Sequence, residues 1–285
     1  MPSALLFCRP YSASLPQHRL AYLHLGILCN NLIMTTYLVI GASRGIGLAL
    51  AQLCASRPGT SQVFATVRDK STAPQALVSQ SNIMTVELDA TSPDGITKSV
   101  EEVSKATGGS LDVLLINAAI NITDNIVDAS VDQLRATLET NTIAVHAIVQ
   151  AFLPLIRAGS AKRIITIGAA TGTFPTVQHL APHQFPGLGA YSVSKVAAHM
   201  LMMLYAAELA NEGILTASVH PGVVETDMAV DIFRRHPEAK EMADRAGIQM
   251  ISAQKSAESV MTVVNGLTKE QSGLVMSYTG EVMPF

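Results

Sequence analysis

The chain has 285 residues, 48% of them apolar and 14% charged, with a formal net charge of −3 at pH 7. That composition supplies a sizeable core for a single α/β domain, and the slight negative charge gives no electrostatic reason for nucleic acid or an anionic membrane as partner. Three cysteines (Cys8, Cys29, Cys54) without paired spacing argue against a zinc site or disulfide framework, so no metal and a reducing, cytoplasmic setting are expected.

Residues 1–33 stand apart, with no acidic residue, two arginines (Arg9, Arg19) and no clear strand or helix period. They are read as an extension outside the domain. Two readings stay open: a basic, acid-poor presequence, or a non-native or disordered stretch before a natural start at Met34. From there to residue 285 the pattern predicts one dinucleotide-binding domain. Short apolar runs at Tyr37–Ile40, Val63–Val67, Ile83–Leu88, Leu111–Ile116, Arg163–Ile167 and Leu215–Val219 read as buried parallel strands. Segments with helical spacing lie between them, notably Ile46–Ser56, Ile96–Ala106, Val131–Ile156 and Ser192–Asn211, and Gly273–Ser277 reads as a closing strand. Such alternation predicts right-handed βαβ units, a Rossmann-type doubly wound parallel sheet. No run of roughly 18 apolar residues marks a membrane span.

The first strand runs into Gly41-Ala42-Ser43-Arg44-Gly45-Ile46-Gly47. Gly41 permits the turn off the strand, while Gly45 and Gly47 let the backbone approach a pyrophosphate and the helix pack on the sheet. The phosphate then faces the free N–H groups of the new helix. The second strand ends in Arg68, where an acidic residue would hold the ribose of NAD. Arg68 and Arg44 together suit bidentate recognition of a 2′-phosphate, so NADP(H) is the expected cofactor. Farther on, Tyr191 and Lys195 stand four residues apart, on one face if the segment is helical. A lysine ammonium and the positive nicotinamide ring of the oxidised cofactor lower the pKa of a neighbouring phenol, which can then give a proton to a carbonyl oxygen as a hydride arrives at its carbon.

From Thr36 almost to Phe285 the chain resembles the short-chain dehydrogenase/reductase family, through Gly-x-x-x-Gly-x-Gly and Tyr-x-x-x-Lys. His220-Pro221-Gly222, Thr226-Asp227-Met228 and Ser277-Tyr278-Thr279-Gly280-Glu281 are similar to the C-factor and sniffer-type carbonyl reductases and to fungal ketoreductases of the norsolorinic acid type. The resemblance implies reduction of a small-molecule ketone or aldehyde, apolar, aromatic or polyketide-derived compounds included, with Tyr191, Lys195 and Asn141 as the catalytic set. Asn141 would link Lys195 to solvent through water. Around the cofactor it implies Gly41, Ser43, Arg44, Gly45, Ile46, Gly47 and Arg68, then Asp89 near adenine and Asn117 at the adenosine ribose. Tyr191, Lys195, Val224 and Thr226 would complete the nicotinamide side. It also implies a lid from Met228 to about Gln254, and a homodimer or homotetramer in which Val145–Ile156 and Val196–Leu209 pair between subunits.

Three positions depart from the family pattern. Ile40 replaces a threonine, Ala119 a glycine, and Gly168-Ala169 the Ser-Ser pair whose second hydroxyl binds the substrate carbonyl. Thr171 or Thr173 is expected to supply the missing donor from a longer loop before Tyr191. Ala169 also leaves open a protein that keeps the NADP(H) cleft as a sensor or scaffold with weakened catalysis.

Overall fold

The computed structural model describes residues 34–122, 125–180, 186–245 and 247–285. The predicted extension over residues 1–33, and Pro182 and His183 of the loop before Tyr191, lie outside the described residues. Met34–Phe285 form one compact unit.

The elements alternate as the apolar runs predict. β1 (Thr35–Ile40), α1 (Gly45–Ser56), β2 (Thr60–Val67), β3 (Ile83–Glu87), α2 (Pro93–Thr107) and β4 (Val113–Ile116) make the first half. Next come α3 (Val131–Leu138), a π turn (Glu139–Ile143), α4 (Ala144–Ala158), β5 (Arg163–Ile167), a 3₁₀ turn (Ala170–Gly172) and α5 (Phe174–Leu180). The chain closes with α6 (Gly189–Leu209), β6 (Leu215–His220), α7 (Asp227–Arg235), α8 (Pro237–Arg245), α9 (Ala253–Gly266) and β7 (Val275–Ser277). All seven strands run parallel in the order β3-β2-β1-β4-β5-β6-β7. The order reverses between β1 and β4, where a doubly wound sheet opens a crevice at its carboxyl edge.

Strand period 2 divides the core into two layers. Tyr37 and Val39 of β1 face Leu50 and Cys54 of α1 and Val260 and Met261 of α9. Leu38 and Ile40 face the other way, into a cluster with Ile148 and Phe152 of α4 and Met202 and Leu209 of α6. Each such side chain stabilises the fold by about 1.5–3 kcal/mol relative to exposure.

The structure corrects one expectation and adds to two others. Leu111 is no part of β4, because its N–H donates to the Leu155 carbonyl at the end of α4 (2.9 Å). The predicted helix Val131–Ile156 runs on through a π turn, which inserts a residue and resets the buried face at Asn141. Val145–Ile156 needs no second subunit to explain its hydrophobicity, since Val145, Ile148, Val149, Phe152, Leu155 and Ile156 are all buried within this chain. Val131–Ala158 and Gly189–Glu212 are long and apolar enough to cross a membrane, yet both pack side chains into the sheet core. On α6 an apolar stripe of Val193 (45% exposed), Met200 (42%) and Leu204 (50%) remains uncovered.

Below the sheet, the Asp112 carboxylate ties three segments together. Oδ2 accepts from Thr36 N (2.8 Å) and Thr36 Oγ1 (2.9 Å), and Oδ1 accepts from Ser160 N (2.7 Å) and Ala161 N (3.1 Å). Burial alone pushes this carboxyl up, but the bonds from Thr36, Ser160 and Ala161 outweigh it and hold the pKa below the usual aspartate value. The ionised form therefore contributes stability that is present above the unfolded pKa of about 3.9 and lost as pH falls through the lower folded value. Asp112→Ala should lower stability by about 2–3 kcal/mol at pH 7 in chemical denaturation, and the difference from the parent should shrink below about pH 4.

Candidate active site

The carboxyl edge of the sheet gathers the predicted residues from five strand ends. After β1 the chain turns at Gly41 (φ +81°), where a Cβ would sit 2.9 Å from the Ala118 backbone. Its N–H donates to Thr66 Oγ1 (2.8 Å) and its carbonyl accepts from Asn117 Nδ2 (2.7 Å). At Gly47 a Cβ would overlap the Gly41 carbonyl and lie 2.5 Å from Asn117 Nδ2. Asn117 thus braces the turn from the end of β4. The start of α1 has no side-chain cap and no acidic residue in its first turn, so its free N–H groups and positive end favour an anion.

Two cations flank this turn. Arg68 is exposed at the end of β2, and Arg44 Nη1 meets Asp227 Oδ2 at 2.9 Å with both side chains more than 70% exposed. An ion pair so exposed contributes little to stability. The neighbouring acids are turned aside: Asp69 accepts from Ser71 N (2.8 Å) and Ser71 Oγ (2.6 Å), and Asp89 from Thr91 N (2.9 Å) and Thr91 Oγ1 (2.8 Å). These bonds lower the pKa of both carboxyls. A glycine cradle, an unfilled helix start and two exposed arginines, Arg44 only weakly held by Asp227, fit a phosphorylated dinucleotide.

Across the crevice, Thr226 caps α7 by accepting from Ala229 N (3.4 Å) and lies against Gly45, whose added Cβ would be 3.2 Å from Thr226 Cγ2. Val224 is buried and bridges to Ile251. The predicted lid, here α7 and α8, is therefore clasped at its base: Glu225 N donates to Ile251 O (3.0 Å) and Ile251 N to Val223 O (2.9 Å).

Tyr191 and Lys195 occupy the first turns of α6. Lys195 is buried, its Nζ donates to the Ile167 carbonyl (2.8 Å), and Nζ lies 5.5 Å from the centre of the Tyr191 ring. Burial pushes the Tyr191 phenol up to about 12 and the Lys195 ammonium down to about 8. In the protein without cofactor, desolvation of the phenolate is what moves the phenol. Asn141, at the π turn, accepts from Ile120 N (2.8 Å) and donates to Ile120 O (2.8 Å) and Ser194 Oγ (3.0 Å), while Ser194 Oγ donates to Tyr191 O (2.7 Å). It thereby pins the β4 loop to the turn of α6 between Tyr191 and Lys195.

Ala169 is buried at the end of β5. Thr173 Oγ1 is committed to Ala170 O (2.9 Å) and Thr176 Oγ1 (2.8 Å), whereas Thr171 Oγ1 is buried with no hydrogen-bond partner among the described residues. Thr171 lines an open cleft of about 1140 Å³ with Phe174, Val177, Leu188, Val193 and Met242. Sequence reasoning missed Thr66 and Ser194, which act through the backbone, and buried His199; desolvation pushes the pKa values of His199 and half-buried His220 down to about 4. The His220-Pro-Gly start was legible as a motif, and its ring meets Tyr278 edge to face at 6.4 Å.

A family model described as short chain dehydrogenase matches residues 35–237. An uncharacterised oxidoreductase of Schizosaccharomyces pombe is 33% identical over 258 residues, covering 87% of this chain and 97% of that protein. The short-chain dehydrogenase/reductase atnB of Arthrinium sp is 33% identical over 269 residues, covering 87% and 98%. Among solved structures, the NADPH-bound carbonyl reductase from chicken fatty liver superposes with a TM-score of 0.75 at 26% identity, covering 88% of this chain and 94% of that one.

The Gly47 approach leaves no room for a methyl group, while Gly266 has open space around it. Gly47→Ala should cost about 3 kcal/mol or more through overpacking, read by chemical denaturation, and Gly266→Ala should change stability by no more than about 0.5 kcal/mol.

Proposed function

The chain belongs to the short-chain dehydrogenase family, and from that premise we propose that it reduces a ketone or aldehyde on an apolar substrate with NADPH, Tyr191 giving the proton. This reading rests on half-buried Tyr191 paired with buried Lys195 beside a cleft lined by their neighbours Gly189, Ser192 and Val193.

In this reading the backbone of Gly41, Ser43, Gly45, Ile46 and Gly47 and the start of α1 receive the diphosphate. Arg44 and Arg68 take the 2′-phosphate, Asp89 and Asn117 bound the adenosine side, and Val224 and Thr226 the nicotinamide side. NADPH supplies the hydride when bound. Lys195 holds the nicotinamide ribose from its seat on the Ile167 carbonyl, and Tyr191, kept as the neutral phenol, donates to the carbonyl oxygen. Asn141 keeps the Tyr191–Lys195 turn in register and, through water, links Lys195 to solvent. Thr171 provides the second donor to the carbonyl oxygen in place of the hydroxyl missing at Ala169, since its own hydroxyl is unpaired while that of Thr173 is spent. The cleft walls, Phe174, Val177, Leu188 and Met242, suit a bulky apolar or aromatic substrate of the polyketide type, with methionine adapting to its shape. The exposed stripe Val193, Met200 and Leu204, at i, i+7 and i+11, supports a homodimer through α6.

Ala169 supports one other reading, an NADP(H)-binding sensor or scaffold that no longer turns over. Following NADPH absorbance with a panel of ketones, aldehydes and quinones separates the two. Reduction by the parent protein, with Tyr191→Phe slower by about 100-fold or more, supports the reductase; tight NADPH binding without turnover supports the sensor. Arg68→Ala should weaken NADPH binding about tenfold and leave NADH binding unchanged, and equal effects on the two would remove the 2′-phosphate role. The reduction rate should fall as pH rises through about 8, where buried Lys195 loses its charge, and a rate flat to pH 9 would contradict that role.

A further inference from the structure

We propose that His199 is the positioning residue that sets the Ala169–Gly172 turn and so presents Thr171 to the substrate carbonyl. The proposal rests on the reading of Thr171 as the second donor. His199 is fully enclosed in α6, one turn beyond Lys195, with 1% of its surface exposed. Its Nδ1 lies 3.0 Å from the Gly172 carbonyl, and its Nε2 accepts from the Ala169 N–H at 3.4 Å.

These partners fix the tautomer. A carbonyl only accepts and a backbone N–H only donates, so Nδ1 carries the proton and Nε2 is bare. A neutral ring is what the surroundings favour: burial first, then the Lys195 and His220 charges, push its pKa down to about 4 against the raising effect of the Gly172 carbonyl. One imidazole therefore clasps both ends of the single 3₁₀ turn that carries the unpaired Thr171 hydroxyl.

The ring also accounts for the residues around it. A Cβ at Gly168 would lie 2.7 Å from Nε2, and one at Gly172 would lie 2.6 Å from Cε1. A serine at 168 and the histidine at 199 cannot share that space without one giving way. Gly168, Gly172 and His199 thus form one arrangement, closed on another side by the Phe285 ring, 6.1 Å from the imidazole and 6.1 Å from Phe174 in the cleft wall. Gly168 and Ala169 carry no hydroxyl, and the His199 clamp holds a threonine in the same turn. Neither nitrogen of His199 needs to touch substrate for this.

A double-variant cycle tests the proposal, using His199→Phe, which fills the ring space without the two nitrogens, and His199→Gln, whose carboxamide keeps a donor and an acceptor. Full-length variants are checked by thermal unfolding and by NADPH fluorescence titration; if the phenylalanine does not fold, His199→Ala takes its place. Thr171→Ala should lower kcat about 100-fold. His199→Phe should lower kcat at least about tenfold with NADPH affinity unchanged, and adding it to Thr171→Ala should cause little further loss, since the two act as a unit. His199→Gln should recover most of the rate. If His199→Phe keeps the parent kcat, or its effect multiplies with that of Thr171→Ala, the positioning role is overturned while the donor reading stands. If Thr171→Ala itself is harmless, the donor reading falls and takes this proposal with it.

Discussion

The close approach of Gly47 to the Gly41 carbonyl is the constraint on which the rest of the site depends. It brings the start of α1 against the end of β1 at a distance that excludes any Cβ, and Asn117 from β4 locks the same carbonyl with its amide. Because β1 and β4 are the strands between which the sheet order reverses, that lock sits at the crevice itself. The open helix start, the exposed arginines and the facing Thr226 all take their places relative to it. A rigid floor of this kind is what allows an exposed, otherwise weak arginine pair to be held ready for an anion.

The Tyr191–Lys195 side of the crevice is built by burial. Lys195 is dry and seated on the Ile167 carbonyl, and Tyr191 is shielded enough that its phenol stays protonated. Desolvation of the phenolate raises the phenol. For a reductase that outcome is useful, since the group must enter the reaction carrying its proton. The π turn at Asn141 belongs to the same construction, because it rotates one amide into the core, where it joins the β4 loop to Ser194.

Much of this was legible in the sequence. Apolar runs located the strands, Arg163–Ile167 to the residue, and the glycine spacing located the turn, because only glycine tolerates such proximity. Tyr191 and Lys195 were legible from a four-residue spacing. What remained hidden came from side chains that act through backbone. Nothing in the spacing of Val131–Ile156 signals a π turn, and its apolar stripe is spent on the chain's own core. A histidine among Val196, Ala197, Ala198 and Met200 reads as an ordinary core residue. Its partners, Ala169 N–H and Gly172 O, leave no mark on residue type except the two glycines that make room. Asp112, likewise, reads as an acid at a strand start until its four backbone and hydroxyl donors are seen.

The central claim is that a neutral Tyr191 phenol and the unpaired Thr171 hydroxyl together receive the substrate oxygen above Lys195. The most direct test is a crystal structure of the protein with NADP⁺ and a product alcohol bound. The account predicts the alcohol oxygen within hydrogen-bond distance of both Tyr191 Oη and Thr171 Oγ1, with His199 still bridging Ala169 and Gly172. An alcohol oxygen bound away from Tyr191, or met only by water on the Ala169 side, would contradict it.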